Sequence, residues 1–167
     1  MGESGDNGHV LKSGEGSQIN FRGTRMVVKV SGKQSEGAYT LIEMTHPPDA
    51  GPALHVHPRA AEAYYVLEGE YSIRYGGREI LAKVGDFVFI PKGVPHNYRS
   101  GPQGGKVLVI SPAGLEKYFV KVAGMLKDGQ VAWESEQEIA KHYGQEFLDG
   151  LAHRGQQLLY VFKKTLP

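Results

Sequence analysis

The feature that most limits the fold is the punctuation of residues 17–110 by tight-turn residues. Ser31-Gly32, Pro47-Pro48-Asp49, Glu68-Gly69, Gly76-Gly77, Gly85-Asp86, Pro91-Lys92-Gly93 and Gly101-Pro102 recur along this stretch. Glycine admits positive φ and proline fixes φ, so each pair favours a chain reversal. Between the turns lie ten short apolar or alternating runs: Gln18 to Phe21, Met26 to Val30, Ala38 to Met44, Ala53 to His57, Ala63 to Leu67, Tyr71 to Tyr75, Ile80 to Lys83, Phe87 to Ile90, His96 to Arg99 and Lys106 to Ile110. Runs this short suit strands rather than helices. The expectation is an all-β chain, folded as an antiparallel β-barrel or sandwich. A total of 23 glycines and 9 prolines agrees with many turns.

The flanks read differently. Residues 1–16 are nearly devoid of apolar side chains and are expected to form a flexible N-terminal tail, with residues 17–167 as a single domain. From about residue 111 the pattern becomes helical. Ser111-Pro112 resembles a cap followed by a first helical proline, and Leu115, Phe119, Val122 and Leu126 recur near helical spacing. A second short helix is expected from Ser135, where Glu138 completes a capping-box spacing and Ile139 and Tyr143 fall four apart, ending at Gly144. Leu158 to Phe162 reads equally as an edge strand or a docked tail.

Composition removes several function classes. Nineteen basic and eighteen acidic residues give a net charge of +1, with no basic cluster to neutralise a line of phosphates, so nucleic acid is not expected as a partner. No run approaches the ~18 apolar residues of a membrane helix, and the first twenty residues lack the apolar stretch of a secretory signal. A cytoplasmic location is the expectation. With no cysteine in the chain, disulfides, thiolate nucleophiles and sulfur-ligated metals are excluded, and any metal chemistry must use the seven histidines and the carboxylates.

Those histidines are not scattered at random. In Gly51-Pro-Ala-Leu-His55-Val-His57-Pro-Arg-Ala-Ala-Glu62, one residue separates two histidines on an expected strand, so both side chains leave the same face. Glu62 follows after enough chain to turn and return a carboxylate to the same point. His96 lies thirty-four residues beyond Glu62, in Gly85-Asp-Phe-Val-Phe-Ile-Pro91-Lys-Gly93-Val-Pro-His96. Three imidazoles and one carboxylate suit a divalent first-row ion, and Fe, Mn, Co, Ni, Cu and Zn all fit the ligand types. Four protein ligands on an octahedral ion leave two positions open, as in a catalytic rather than a structural site.

Both segments resemble the two signature motifs of the cupin superfamily. His55, His57, Glu62 and Gly69 keep the spacing of the first motif, although only three residues separate Gly51 from His55. Gly85, Pro91, Gly93 and His96 fit the second, with Ser100 where the motif ends in asparagine, a position that is not a metal ligand in that family. The fifteen residues between Gly69 and Gly85 match the short spacer of compact single-domain bacterial cupins, and the residues after 111 resemble the helical tail of small quercetin 2,3-dioxygenase-like cupins. The resemblance implies a cupin barrel, a double-stranded β-helix or jelly roll, with one or two short C-terminal helices. It implies one divalent transition metal ion on His55, His57, Glu62 and His96.

For the reaction, the resemblance implies a metal-dependent dioxygenase acting on a small enolisable aromatic or diketone-type substrate, with dioxygen as co-substrate and Glu62 as the catalytic carboxylate. Two alternatives stay open: a non-oxidative isomerase, cyclase or lyase, and a binding protein without turnover. Strand parity directs Tyr64 and Tyr98 inward, where they are expected to line a substrate pocket, equally well explained as barrel packing. Met26, Met44, Phe87 and Phe89 are further candidates for the cavity wall. His9, His46, His142 and His153 have no companion ligand and are expected at the surface. Pairing of the N-terminal strands, Ile19 to Val30, across a two-fold axis would cover a sheet edge and make a homodimer.

Overall fold

A computed structural model describes residues 8–127 and 130–148. Among them the chain forms nine strands and two helices: β1 (Ser17–Phe21), β2 (Thr24–Val30), β3 (Thr40–His46), β4 (His55–Val56), β5 (Glu62–Tyr75), β6 (Arg78–Lys83), β7 (Phe87–Ile90), β8 (His96–Ser111), α1 (Leu115–Met125), α2 (Trp133–His142) and β9 (Glu146–Phe147). All pairings between these strands are antiparallel. The order runs β1-β2-β3-β8-β4-β9, while β5 joins β8 to β6 and β7.

The all-β expectation is met, with one instructive difference. The Glu68-Gly69 and Gly101-Pro102 signals do not reverse the chain, and the four runs flanking them fuse into the two long strands β5 and β8. These strands pair along nearly their whole length, from Ala63↔Ile110 to Tyr75↔His96, with register shifts between Val66 and Glu68 and between Gly69 and Tyr71. Gly69 sits at φ +72°, and a Cβ there would meet the Gly104 carbonyl oxygen at 2.5 Å. The glycine therefore permits a bulge and a bend where the sequence suggested a turn. Bending lets one strand serve two layers, and the barrel closes around the bend.

The interior holds Ile42, Met44, Tyr64, Val66, Tyr71, Ile73, Ile90, Tyr98, Val107 and Val109, each buried. A smaller apolar cluster of Ala53, Leu115, Tyr118, Val122, Ile139, Ala140 and Phe147 seats the helices against one end of the barrel. Phe87 and Phe89, candidates for the cavity wall, are instead 58% and 56% exposed on the outer face of β7. In β7 the alternation places Val88 and Ile90 inward.

The helix boundaries also differ from expectation. Ser111 is the last residue of β8, paired with Thr40, rather than a helix cap. The helix starts at Leu115 after Gly114 at φ +86°, whose N–H donates to the Thr40 hydroxyl. The second helix begins at Trp133, two residues before Ser135, and Gly144 follows its end at φ +81°. Two-residue β9 had no signal in the sequence; it is recruited by pairing with β4. Residues 8–16 of the expected tail run beside β2, with the His9 ring bonded to the Lys29 carbonyl and Lys29 Nζ donating to the carbonyls of Lys12 and Glu15. The Leu158 to Phe162 run and His153 lie outside the described residues.

Candidate metal centre

His55, His57, Glu62 and His96 come together as one buried cluster, with one donor atom from each lying within 4.8 Å of the others. Three strands deliver them: β4 carries His55, the start of β5 carries Glu62, and the start of β8 carries His96, which pairs directly with His55. His57 follows β4 by one residue and keeps the parity that points it inward.

Backbone carbonyls fix the three rings. His55 Nδ1 donates to Ala53 O at 2.8 Å, His96 Nδ1 to Val94 O at 2.8 Å and His57 Nδ1 to Gly144 O at 3.0 Å. A carbonyl can only accept, so each Nδ1 carries hydrogen and each Nε2 turns toward the centre. Glu62 Oε2 lies 2.9, 3.6 and 3.9 Å from Nε2 of His96, His57 and His55. The Tyr64 hydroxyl donates to the same carboxylate oxygen. His57 Nε2 is buried with no hydrogen-bond partner.

This arrangement has a clear electrostatic meaning. Four lone-pair-bearing atoms converge in a buried space, which is repulsive unless a cation lies among them. In the chain by itself, protons fill that need. Burial opposes charge on His57, but the Glu62 carboxylate outweighs it and raises the imidazole's pKa above the usual range. Burial likewise works against the Glu62 carboxylate, yet the charge of His57 and the surrounding imidazoles hold it well below the ordinary value. Burial dominates at His55, which drops to about 4 and stays neutral. The donor set therefore fits a divalent first-row ion: neutral imidazoles with defined tautomers, an anionic carboxylate, and backbone carbonyls orienting the rings from behind.

A cavity of about 390 Å³ opens onto the cluster, with His55 and Glu62 in its wall. Its apolar lining includes Met26, Met44, Val109, Leu115 and Phe119. Tyr98 lines the cavity as parity suggested, whereas Tyr64 is not part of the wall and bonds Glu62 from within the core. The helical segment closes one side with Tyr118, Gln145 and Phe147, and Arg22 borders it. Arg22 is bidentate to Glu136 of α2 at 2.7 and 2.8 Å, and Tyr118 donates to the same carboxylate at 2.7 Å.

Three contributors escaped the sequence reading. His46, expected at the surface, is buried at the end of β3 and lines the cavity. The alternation Ile42, Met44, His46 carried the signal, which the following Pro47-Pro48 obscured. Ser100 Oγ donates to the Pro47 carbonyl at 2.7 Å and accepts from the Ala50 N–H at 3.0 Å, pinning the cavity-lining loop to β8. Gly144 supplies the carbonyl behind His57, 87 residues away in sequence.

Fold and site define a class, an antiparallel barrel with a buried three-histidine, one-carboxylate cluster at the floor of a cavity. Residues 42–111 match the cupin domain family. Over 123 residues, 74% of this chain, it is 26% identical to quercetin 2,3-dioxygenase of Bacillus subtilis. The match spans 36% of that relative's length. Among solved structures, a predicted oxalate decarboxylase from Thermotoga maritima is similar at 26% identity and a TM-score of 0.55, covering 61% of this chain and 96% of that one. A polyketide cyclase from Streptomyces resistomycificus shares the fold, at 24% identity and a TM-score of 0.52, covering 63% of this chain and 78% of that one.

Proposed function

We propose that this chain is a metal-dependent dioxygenase of the quercetin 2,3-dioxygenase type, acting on a small enolisable aromatic or diketone-type substrate. The observation that carries the reading is the convergence of four buried acceptor atoms beside an apolar cavity, three of them on rings whose tautomers are fixed from behind. The likeness to the Bacillus subtilis dioxygenase supports the choice of reaction. His55, His57, Glu62 and His96 would hold one ion, of Fe, Mn, Co, Ni, Cu or Zn by ligand type. Such an ion, when bound, supplies Lewis acidity and open positions for oxygen ligands.

The chain's own groups do the rest. Glu62 Oε2 is the carboxylate oxygen nearest the imidazole nitrogens and takes the proton of a substrate hydroxyl. Tyr64 O–H holds that oxygen in place, so the proton arrives at a defined atom. Met26, Met44, Val109 and Phe119 supply an apolar wall for a planar ring and exclude water from the reacting carbons. The cavity volume falls at the lower end of the ~300–1,000 Å³ typical of small-molecule sites.

The test is metal analysis of protein purified without chelator or affinity-tag metal, followed by oxygen-electrode assays with flavonols and smaller enolisable ketones, using His96→Ala as control. Substrate-dependent oxygen uptake that vanishes in the control supports the dioxygenase. Stoichiometric metal without uptake would overturn it in favour of non-oxidative chemistry, and protein that takes up no metal would overturn the metal centre itself. Among the described residues no helix is long and apolar enough to cross a membrane. The homodimer proposed through β1 rests on the place of that strand at the end of the sheet order.

A further inference from the structure

His46 and Tyr98 form a polar pair in the cavity wall that the metal centre does not use. His46 is 5% exposed and Tyr98 9%, and both line the cavity that reaches His55 and Glu62. The two ring nitrogens of His46 each meet a tyrosine hydroxyl: Nδ1 lies 3.1 Å from Tyr71 and Nε2 3.0 Å from Tyr98. Edge-on packing holds the imidazole between them, with centroid separations of 5.6 Å to Tyr71 and 5.2 Å to Tyr98. Burial pushes its pKa down to about 3, so the ring is neutral and carries one hydrogen.

A neutral imidazole between two hydroxyls can be hydrogen-bonded in two ways. With hydrogen on Nδ1, the ring donates to Tyr71, Tyr98 donates to Nε2, and the lone pairs of the Tyr98 oxygen remain able to accept. With hydrogen on Nε2, the ring donates to Tyr98, Tyr71 donates to Nδ1, and the Tyr98 hydrogen is released. The nearest acceptor then available to it is Met44 Sδ at 3.6 Å, and a thioether is a weak acceptor that a ligand oxygen displaces readily. The hydroxyl of Tyr98 can thus accept from a hydroxyl or donate to a carbonyl, and in either case the imidazole behind it is fully bonded.

We propose that Tyr98, set by His46, is a specificity-determining contact for a second oxygen of the substrate, a hydroxyl or carbonyl distinct from the one held at the four-residue cluster. The inference rests on the substrate class given under Proposed function and narrows it to aromatic molecules oxygenated at two separate positions. The pair and the cluster are joined through Tyr64 behind the wall: the Tyr98 ring packs edge-on against Tyr64 at 5.2 Å, and Tyr64 donates to Glu62. A ring bound against the methionines would be located at both positions. The loss of either oxygen from the ligand leaves a buried polar group without its match, which is what makes such a contact selective.

The experiment uses the cobalt(II)-loaded protein without oxygen, so that binding is read without turnover. Titration calorimetry compares 3-hydroxyflavone with its 7-, 3′- and 4′-hydroxy derivatives. At least one derivative is expected to bind about fivefold more tightly than the parent, the worth of one neutral hydrogen bond. Tyr98→Phe, which removes one hydroxyl and no packing volume, is expected to abolish that preference, so that parent and derivative bind alike. His46→Leu should erase it as well, and thermal melts with metal content report whether each variant is folded and loaded. Equal affinity across the series, or a preference that survives Tyr98→Phe, overturns the role of the pair. Binding of none of these flavonols to loaded wild-type protein overturns the substrate class and the pair together.

Discussion

Replacing Arg22 by methionine tests how the helices are fastened over the cavity. The arginine side chain is 13% exposed and that of Glu136 is fully buried, so water screens little of their attraction. Methionine keeps most of the aliphatic stem but removes two charge-assisted hydrogen bonds, at 2.7 and 2.8 Å, and a guanidinium placed 4.8 Å from the centroid of Phe21. Breaking a buried pair from one side typically costs about 3–5 kcal/mol, because the remaining charge loses its counterion in a dry setting. The low end is expected here, since Tyr118 still donates to the Glu136 carboxylate. Urea denaturation followed by circular dichroism measures the loss. The double variant Arg22→Met with Glu136→Gln removes the buried negative charge, keeps an acceptor for Tyr118 and should recover at least half of the loss. A single variant within about 1 kcal/mol of wild type, or a double variant no more stable than the single, refutes the argument that the pair is dry and tightly coupled.

Gly51→Ala should be severely destabilising, because a Cβ there would lie 1.8 Å from the Tyr98 carbonyl oxygen, and a thermal melt should show a drop beyond that of an ordinary surface change. Tyr64→Phe removes the donor to Glu62 without opening a cavity, and competition against a chelator should show metal affinity falling about 10- to 100-fold, as for other groups that orient ligands. In the metal-free protein, the raised pKa of His57 contributes stability that is complete below the unfolded value of ~6.5 and disappears as pH rises through the folded value. Denaturation midpoints of the metal-free chain should therefore decline between mildly acid and alkaline pH, and His57→Gln should flatten that decline. Sedimentation of the full chain tests the proposed dimer: a monomer mass at micromolar concentration would exclude it.

The four-residue cluster was legible because it is written in local spacing. His55 and His57 share a strand face by period two, and both motifs carry their own glycines and prolines, so the four residues can be named before any long-range contact is known. The barrel was legible for the same reason, through turns and alternation. What escaped depends on partners far away in sequence. Glu68-Gly69 reads as a turn in isolation, and only pairing of β5 with β8 on both sides of Gly69 makes it a bend. His46 looked solvent-facing because prolines follow it, whereas Tyr71 and Tyr98 provide the polar surroundings that let it be buried. Ser100 departs from the motif's asparagine, yet its hydroxyl secures the loop by donating to Pro47 and accepting from Ala50, which no spacing rule announces. The helical starts were displaced because β8 pairs through Ser111 and thereby takes the residue that would have capped α1.

The carbonyl of Gly144 behind His57 ties the candidate metal centre to the helical end of the chain. The barrel residues that match the family end at 111, and the His57 ring is oriented by a carbonyl that lies beyond both helices in sequence. Contacts of such long sequence separation form late, once the loops between them are closed. A chain folded in its barrel but open at its helical end would present two oriented imidazoles and one free to rotate. Metal content is therefore expected to track the docking of residues 144–148 more closely than it tracks strand content.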